Sequence, residues 1–277
     1  MKKNILLTIE YDGRDFHGWQ RQPGLRTVQG TVEEALSIAL KQEITIEGTG
    51  RTDAGVHALD QKATFSADFG LPVEKLPLVL NNILAKGKTG AGISLGDVRI
   101  VDAEEVSEDF HARFDCTGKT YRYILNTGRP DIFRKDYCYF VERSLDFEAM
   151  EEAAKALVGT FDFKSFESAG GNPRLTTVRT IYDVKLQKTE GQIVIDVTGD
   201  GFLYNMVRII VGTLVDVGLG RIEASKMPEI IASCNRENAG HTAPAAGLYM
   251  AKVYFGNELC EKTCEKACEE ACEKKMP

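Results

Sequence analysis

The chain of 277 residues carries a formal net charge of −7 and is 43 % hydrophobic. A chain of this length can bury one large core or two modest ones. Its longest apolar stretch, residues 202–219, is interrupted by polar and charged side chains, which excludes a span of the length that a bilayer requires. The first residues have too short an apolar run for a secretory signal, so we expect a cytoplasmic protein with no membrane partner.

The acidic net charge disfavours a nucleic-acid partner at first, because neutralising phosphates takes clustered Lys and Arg. The last segment, residues 257–277, contributes −2 of this charge and leaves −5 for the rest of the chain. Many arginines lie close to the sequence motifs described below. A local basic groove on an acidic protein is therefore still compatible with the composition.

The first part of the chain alternates between strand and helix patterns. In chain order, the sequence predicts a strand over 5–11, a helix from Thr27 or Thr31 to about Gln42, a strand through Ile44 and Ile46, a strand over 58–65, a short helix over 76–84 and a strand over 98–101. Between the last two elements, residues 86–92 are rich in Gly and Lys. They lack the Lys-Ser/Thr ending of a phosphate-binding loop, which favours a surface loop.

The second part repeats this mixture without a detectable sequence repeat. In chain order, the sequence predicts a strand over 119–125, a helix from about Asp146 that buries residues up to Val158, a hairpin of strands 177–186 and 192–198, a nearly all-apolar helix from Phe202, a helix over 223–234 and a closing strand over 247–255. On the strand over 119–125, alternation places Tyr121 and Arg122 on opposite faces.

These patterns predict an α/β (α+β) fold of two similar modules, with mixed, mainly antiparallel sheets flanked by helices and a cleft between them. The acidic segment 102–109 is interpreted as the boundary. We expect an N-terminal module over 1–105, a C-terminal module over 106–256 and a Cys-, Glu- and Lys-rich tail over 257–277.

The tail repeats a cysteine every four residues from Cys260 to Cys272. One helix cannot wrap four such thiols tetrahedrally around an ion, which favours a disordered, solvated extension. Metal binding or redox chemistry is the alternative.

Two charged residues stand out in apolar or tightly turning surroundings. Asp53 follows Gly50-Arg51-Thr52 in a glycine-rich turn between two predicted strands, and Arg208 is the charged residue in the predicted apolar helix over 202–215. A buried guanidinium needs a partner, and Asp53 is a candidate that such pairing would keep ionised. The alternatives are an ordinary turn aspartate, an arginine that extends to the surface, and, for His57, a structural histidine.

The segment Gly50-Arg51-Thr52-Asp53-Ala54-Gly55-Val56-His57 resembles the signature of the tRNA pseudouridine synthase A (TruA) family. Further segments resemble family motifs and occur in the family order: residues 11–22, 110–114, 119–123, 201–208 and 242–248. The resemblance spans about residues 4 to 256. The chain departs from the family at residues 86–97, which form a longer Gly- and Lys-rich stretch, and at the tail.

The family isomerises uridine to pseudouridine in the anticodon stem-loop of tRNA, at positions thirty-eight to forty. The resemblance implies that Asp53 is the nucleophile, by attack on C1′ or by a glycal-type elimination, that Tyr121 packs on the target base and takes part in removing the C5 proton, and that Arg208 pairs with Asp53. It implies RNA contacts for Arg51, which would fill the space of the flipped nucleotide, and for Tyr121, Arg21 and His57.

The resemblance further implies a homodimer, no cofactor and no metal, because the isomerisation has no redox step. The rival hypothesis is a catalytically silent RNA-binding module of the same fold. The presence of Asp53, Tyr121 and Arg208 disfavours it.

Overall fold

A computed structural model describes residues 2–85, 96–170 and 175–259. The predicted surface loop from residue 86 and the cysteine repeat from Cys260 lie outside these ranges. The described strands are β1 (Lys2–Tyr11), β2 (Glu47–Gly48), β3 (His57–Asp68), β4 (Val98–Val106), β5 (Cys116–Asn126), β6 (Tyr139–Phe140), β7 (Gly159–Asp162), β8 (Val178–Thr189), β9 (Gln192–Gly199) and β10 (Leu248–Phe255). The described α-helices are α1 (Val28–Leu40), α2 (Leu76–Leu84), α3 (Phe147–Lys155), α4 (Met206–Gly218) and α5 (Met227–Ala232).

The strands form one ten-stranded sheet in the order β4-β1-β3-β10-β5-β9-β8-β7, with β2 beside β3 and β6 beside β5. Most neighbours are antiparallel, and the pair β3–β10 is parallel. The mixed, mainly antiparallel α/β architecture is therefore confirmed. The division of the chain into two modules at residue 105 stays a prediction. Strands from both sides of residue 105 belong to one sheet, because β10 pairs with β3 and with β5.

The sheet register aligns residues of three neighbouring strands, β3, β10 and β5, at the middle of the sheet. Ala58 of β3 lies opposite Met250 of β10, and Met250 lies opposite Tyr121 of β5. Side chains opposite each other in adjacent strands share a face of the sheet. Tyr121 is thus separated only by β10 from β3, the strand that begins directly after the Asp53 loop.

One face of the sheet carries the apolar core. Alternate residues of β1 and β5 are fully buried, including Ile5, Leu7, Tyr123 and Leu125, each 0 % exposed. The buried sides of the helices belong to the same core. The predicted alternation of β5 is confirmed, because Arg122 points to the other face and forms an ion pair with Asp196.

Helix caps explain where two of the helices begin. Thr27 accepts a hydrogen bond from the Gly30 amide at the start of α1, so the helix begins at the first of the two predicted threonines. Asp146 caps α3 by accepting a hydrogen bond from the Ala149 amide, so this helix begins where the sequence predicts.

Several predicted boundaries are wrong. The helix expected from Phe202 begins at Met206, because Asn205 adopts a left-handed conformation with φ of 59°. The helix over 223–234 is short and runs from Met227 to Ala232. Val158 is 42 % exposed and lies beyond α3, outside its buried side. The strand expected over 98–101 continues to Val106 and so includes part of the acidic segment.

The strand predicted through Ile44 and Ile46 is reduced to Glu47–Gly48, although both isoleucines are buried. No helix of the described residues is long and apolar enough to cross a membrane. The first residues of the predicted tail pack on the sheet. Leu259 is 6 % exposed and lies so close to Gly118 of β5 that a side chain there would meet it at 2.6 Å.

Candidate active site

The Asp53 loop is held at its start and at its centre by buried hydrogen bonds. The Thr49 amide bonds to the Lys62 carbonyl at 2.9 Å, and the Thr49 hydroxyl bonds to Gln61 at 2.7 Å. At the centre, the Thr52 hydroxyl shares a 2.7 Å hydrogen bond with the hydroxyl of Tyr11. Buried polar groups with complete partners fix a conformation, so the loop presents Asp53 from a rigid support.

Close backbone contacts explain two glycines beside this loop. Gly18 has φ of +86°, and a Cβ there would lie 2.6 Å from the Thr52 carbonyl oxygen. A Cβ on Gly13 would lie 1.9 Å from the Val56 carbonyl oxygen. Only glycine permits both approaches without moving the backbone.

The second functional element is helix α4. Twelve of its thirteen residues are buried, and Arg208 is the exception. The guanidinium donates to the Ala243 carbonyl from Nε at 2.7 Å and to the Asn205 side-chain oxygen from Nη1 at 2.7 Å. The sequence predicts a carboxylate as the partner of Arg208, yet these two neutral oxygens make its short hydrogen bonds. They hold Arg208 in place independently of Asp53.

Asp53 does lie beside this fixed cation. Its Oδ2 is 3.9 Å from Arg208 Nη1, and the two side chains are 33 % and 19 % exposed. Burial raises the pKa of Asp53 above its ordinary value, and the charge of Arg208 opposes that rise. The carboxylate is therefore more basic than one in water, which suits a nucleophile or base.

Tyr121 forms the apolar wall of the same site. The side chain is 8 % exposed, and its ring meets Phe202 edge-on at 5.1 Å between centroids. Burial, with the nearby Tyr11 and Asp53, raises the pKa of the phenol far above its usual range. Within the described ranges, no group hydrogen-bonds to its hydroxyl. The phenol is therefore neutral at physiological pH and can still donate to a bound molecule.

These residues line a cleft of ≈ 990 Å³ between the two halves of the chain. Five Lys and Arg side chains line its described part, against the carboxylates of Glu47 and Asp53; the five are Arg51, Arg113, Lys119, Arg179 and Arg208. Burial lowers the pKa of Lys119, which lies close to Gly50. The cleft is thus positively charged in an acidic protein, as the distribution of arginines allowed.

Two of the expected RNA contacts do not lie among the described lining residues. Arg21 is 60 % exposed on its side chain and pairs with Glu33 at 3.3 Å. His57 is 2 % exposed. The His57 ring stacks on Tyr249 at 4.7 Å and accepts a hydrogen bond from the Gly13 amide at 3.1 Å. His57 thus supports the Asp53 loop from behind.

The structure adds residues to the cleft that sequence reasoning did not assign. Arg113, Phe114 and Lys119 belong to segments that matched family motifs, yet no role was derived for them. Their signal was the mixture of aromatic and cationic side chains in 110–119. Among the described residues, no group of three or more His, Cys, Asp or Glu side chains is arranged to hold a metal ion.

A mixed sheet with a carboxylate, a guanidinium and a phenol at the base of its cleft is consistent with the pseudouridine synthase fold. The family model described as tRNA pseudouridine synthase matches residues 7–115 and 153–256. The chain belongs to this family of isomerases, and the resemblance derived from its motifs is confirmed. Asp53 and Arg208 lie within the matched ranges, and Tyr121 lies between them.

Named relatives cover almost the whole chain. tRNA pseudouridine synthase A of Acetivibrio thermocellus is 44 % identical over 254 residues, which span 91 % of this chain and 100 % of the relative. The protein of the same name from Caldicellulosiruptor bescii is 44 % identical over 255 residues, with the same coverage. tRNA pseudouridine synthase A 2 of Clostridium perfringens is 44 % identical over 254 residues, again with the same coverage.

Among solved structures, the crystal structure of a Cbf5-Nop10-Gar1 complex matches with a TM-score of 0.32 and 11 % identity, over 76 % of this chain and 54 % of that chain. That likeness is too low to carry an argument.

Proposed function

We propose that this protein isomerises uridine to pseudouridine in the anticodon stem-loop of tRNA, at positions thirty-eight to forty, with Asp53 as the group that breaks the glycosidic bond. The observation that carries the proposal is the convergence of Asp53, Arg208 and Tyr121 at one place in a basic cleft. Family membership supplies the class of reaction.

The atoms of the reaction balance without a cofactor. The C1′–N1 bond breaks, the uracil turns, and a C1′–C5 bond forms. The proton that leaves C5 is matched by the proton that N1 carries in the product. The carboxylate of Asp53 acts at the sugar, by attack on C1′ or by promoting elimination, and Arg208 holds it in the charged form.

The target nucleotide has to leave the helical stack to reach Asp53. Arg51 is exposed beside Asp53 and lines the cleft, so its planar cation can occupy the space that the nucleotide vacates. Tyr121 then packs on the flipped base. Because its phenol stays neutral, Tyr121 assists removal of the C5 proton as a hydrogen-bonding neighbour and not as a phenolate.

The test is an assay on an unmodified anticodon stem-loop transcript labelled with tritium at uridine C5. Tritium enters water as the C–C bond product forms, and chromatography of the digested RNA identifies pseudouridine. Asp53→Asn is expected to abolish both signals. Asp102→Asn, an exposed carboxylate on the edge strand β4, is the matched control and is expected to keep them.

Product formed by Asp53→Asn would refute the proposed nucleophile. RNA that binds to the wild type without any product would favour the silent RNA-binding module. The homodimer and the cytoplasmic location belong to the same proposal and are supported by the family resemblance. Analytical ultracentrifugation tests the former, and a single species of monomer mass would contradict it.

A further inference from the structure

Phe114 is an exposed aromatic side chain at the rim of the cleft. It is 76 % exposed, although a phenylalanine of this kind is stabilising when buried. The other Phe, Tyr and Trp side chains in the described lining are buried or half-buried, Trp19 at 2 % and Tyr121 at 8 % exposed among them. Phe114 therefore offers a bound molecule an exposed aromatic surface in addition to the buried rings of the cleft.

The turn that carries Phe114 is held firmly. The Phe114 and Asp115 amides both donate to the His111 carbonyl, at 3.1 and 3.0 Å, and the Asp115 carboxylate accepts from the His111 amide at 2.7 Å. Ala112, between them, is 0 % exposed. The buried Ala112 and these hydrogen bonds fix the backbone of the turn, so the turn carries the Phe114 side chain at a fixed place on the rim of the cleft.

Two neighbours make the ring suitable for a nucleic acid. The imidazole of His111 lies against it at 4.3 Å between centroids, and Nε2 of His111 contacts the carboxylate of Glu47 beside the Asp53 loop. The guanidinium of Arg113 lies 5.9 Å from the ring centroid and is exposed. An aromatic platform with a cation beside it stacks a base and attracts the adjoining phosphate.

We propose that Phe114, backed by His111 and flanked by Arg113, forms a stacking subsite for a nucleobase that lies close to the target uridine in the RNA. Flipping the target unstacks its neighbours, and Phe114 supplies a replacement surface to one of them. This inference rests on the proposed function. It adds a second aromatic contact to the one assigned to Tyr121.

The test compares Phe114→Ala, Phe114→Trp and Phe133→Ala. Phe133 is 84 % exposed and lies outside the described cleft lining, so it is the matched control for removing an exposed ring. Binding to the intact anticodon stem-loop transcript is measured by fluorescence anisotropy. Phe114→Ala is expected to weaken binding by about 5- to 150-fold, the range of one base stack. Phe114→Trp and Phe133→Ala are expected to bind as the wild type does.

A set of transcripts, each with one abasic nucleotide near the target, identifies the stacked base. For one of them the Phe114→Ala effect is expected to disappear, because the partner of the ring is already missing. An effect of equal size on every transcript would overturn the proposal, and so would wild-type binding by Phe114→Ala. Phe114 would be a subunit contact instead if Phe114→Ala changed the sedimentation coefficient and Phe133→Ala did not.

These outcomes are separable from failure of the proposed function. A wild type that forms no product, with Phe114→Ala still losing affinity selectively, would keep the subsite and reject the isomerase. An active wild type together with a Phe114→Ala variant of unchanged affinity would keep the isomerase and reject the subsite. Thermal unfolding of all three variants checks that the fold is intact.

Discussion

Replacing Arg208 by methionine should move the acid limb of the pH–rate profile to higher pH. The substitution removes the positive charge 3.9 Å from the Asp53 carboxylate and keeps a long apolar side chain on α4. Without that charge, burial alone acts on Asp53, its pKa rises further, and a larger fraction of the enzyme is protonated at any given pH.

The size of the shift follows from the geometry. Two unit charges about 4 Å apart at an effective dielectric constant of about 20 attract with about 4 kcal/mol, and the solvent that reaches Asp53 screens part of this. An arginine at such a distance changes a carboxyl pKa by about 1 to 3 units, at about 1.36 kcal/mol per unit. We therefore expect the limb to shift by about 1 to 3 pH units, towards the lower end of that range.

The assay is the single-turnover rate on the anticodon stem-loop as a function of pH. Arg122→Met is the matched control, because Arg122 also pairs with a carboxylate, Asp196 at 2.8 Å, outside the described cleft lining. It should leave the limb in place. An Arg208→Met profile lowered by the same factor at every pH would refute the electrostatic argument. It would show that Arg208 acts by contact with substrate or by holding the Ala243 carbonyl.

Two further predictions concern stability and the end of the chain. Burial lowers the pKa of His57, so as the pH falls below about 6.5 the unfolded chain binds a proton before the folded chain does, and the free energy of unfolding falls with decreasing pH. His57→Asn should flatten this slope in urea titrations. An equal slope in His57→Asn and in the control His17→Asn, which changes an exposed histidine, would contradict the argument. Deleting residues 260–277 should leave turnover and thermal stability unchanged, whereas deletion from 257 removes buried Leu259 and should cost about 1.5 to 3 kcal/mol of stability. Loss of activity in the shorter deletion would overturn the view that the tail takes no part in the reaction.

Local patterns were enough to predict most strands and some helix ends. The alternation around Tyr121 and the threonine and aspartate caps of α1 and α3 each depend on neighbours within a few residues. The end of β4 was predicted too early because β4 is an edge strand. Its charges point to solvent, and β1 pairs with it on one side, so acidic residues are tolerated in the strand beyond the predicted end at Val101.

The geometry of the site depended on contacts distant in sequence. The conflict between an arginine and an apolar helix indicated that Arg208 is special, and the resemblance pointed to Asp53. No local pattern shows that the Ala243 carbonyl and the Asn205 side chain accept the short hydrogen bonds from Arg208. Ala243 lies in a loop far along the chain, and Asn205 is placed by its left-handed backbone conformation. The exposure of Phe114 likewise follows only from the folded turn.

The position of β10 has a consequence for biosynthesis. This strand lies between β3 and β5 at the middle of the sheet, although it is the last strand of the described chain. A ribosome releases it after every other described strand, and until then β3 and β5 have no common neighbour to align Asp53 with Tyr121. Pairings so distant in sequence form late. A nascent chain therefore already carries Asp53, Tyr121 and Arg208 before it carries the strand that aligns the first two, and we expect the site to form only once β10 has joined the sheet.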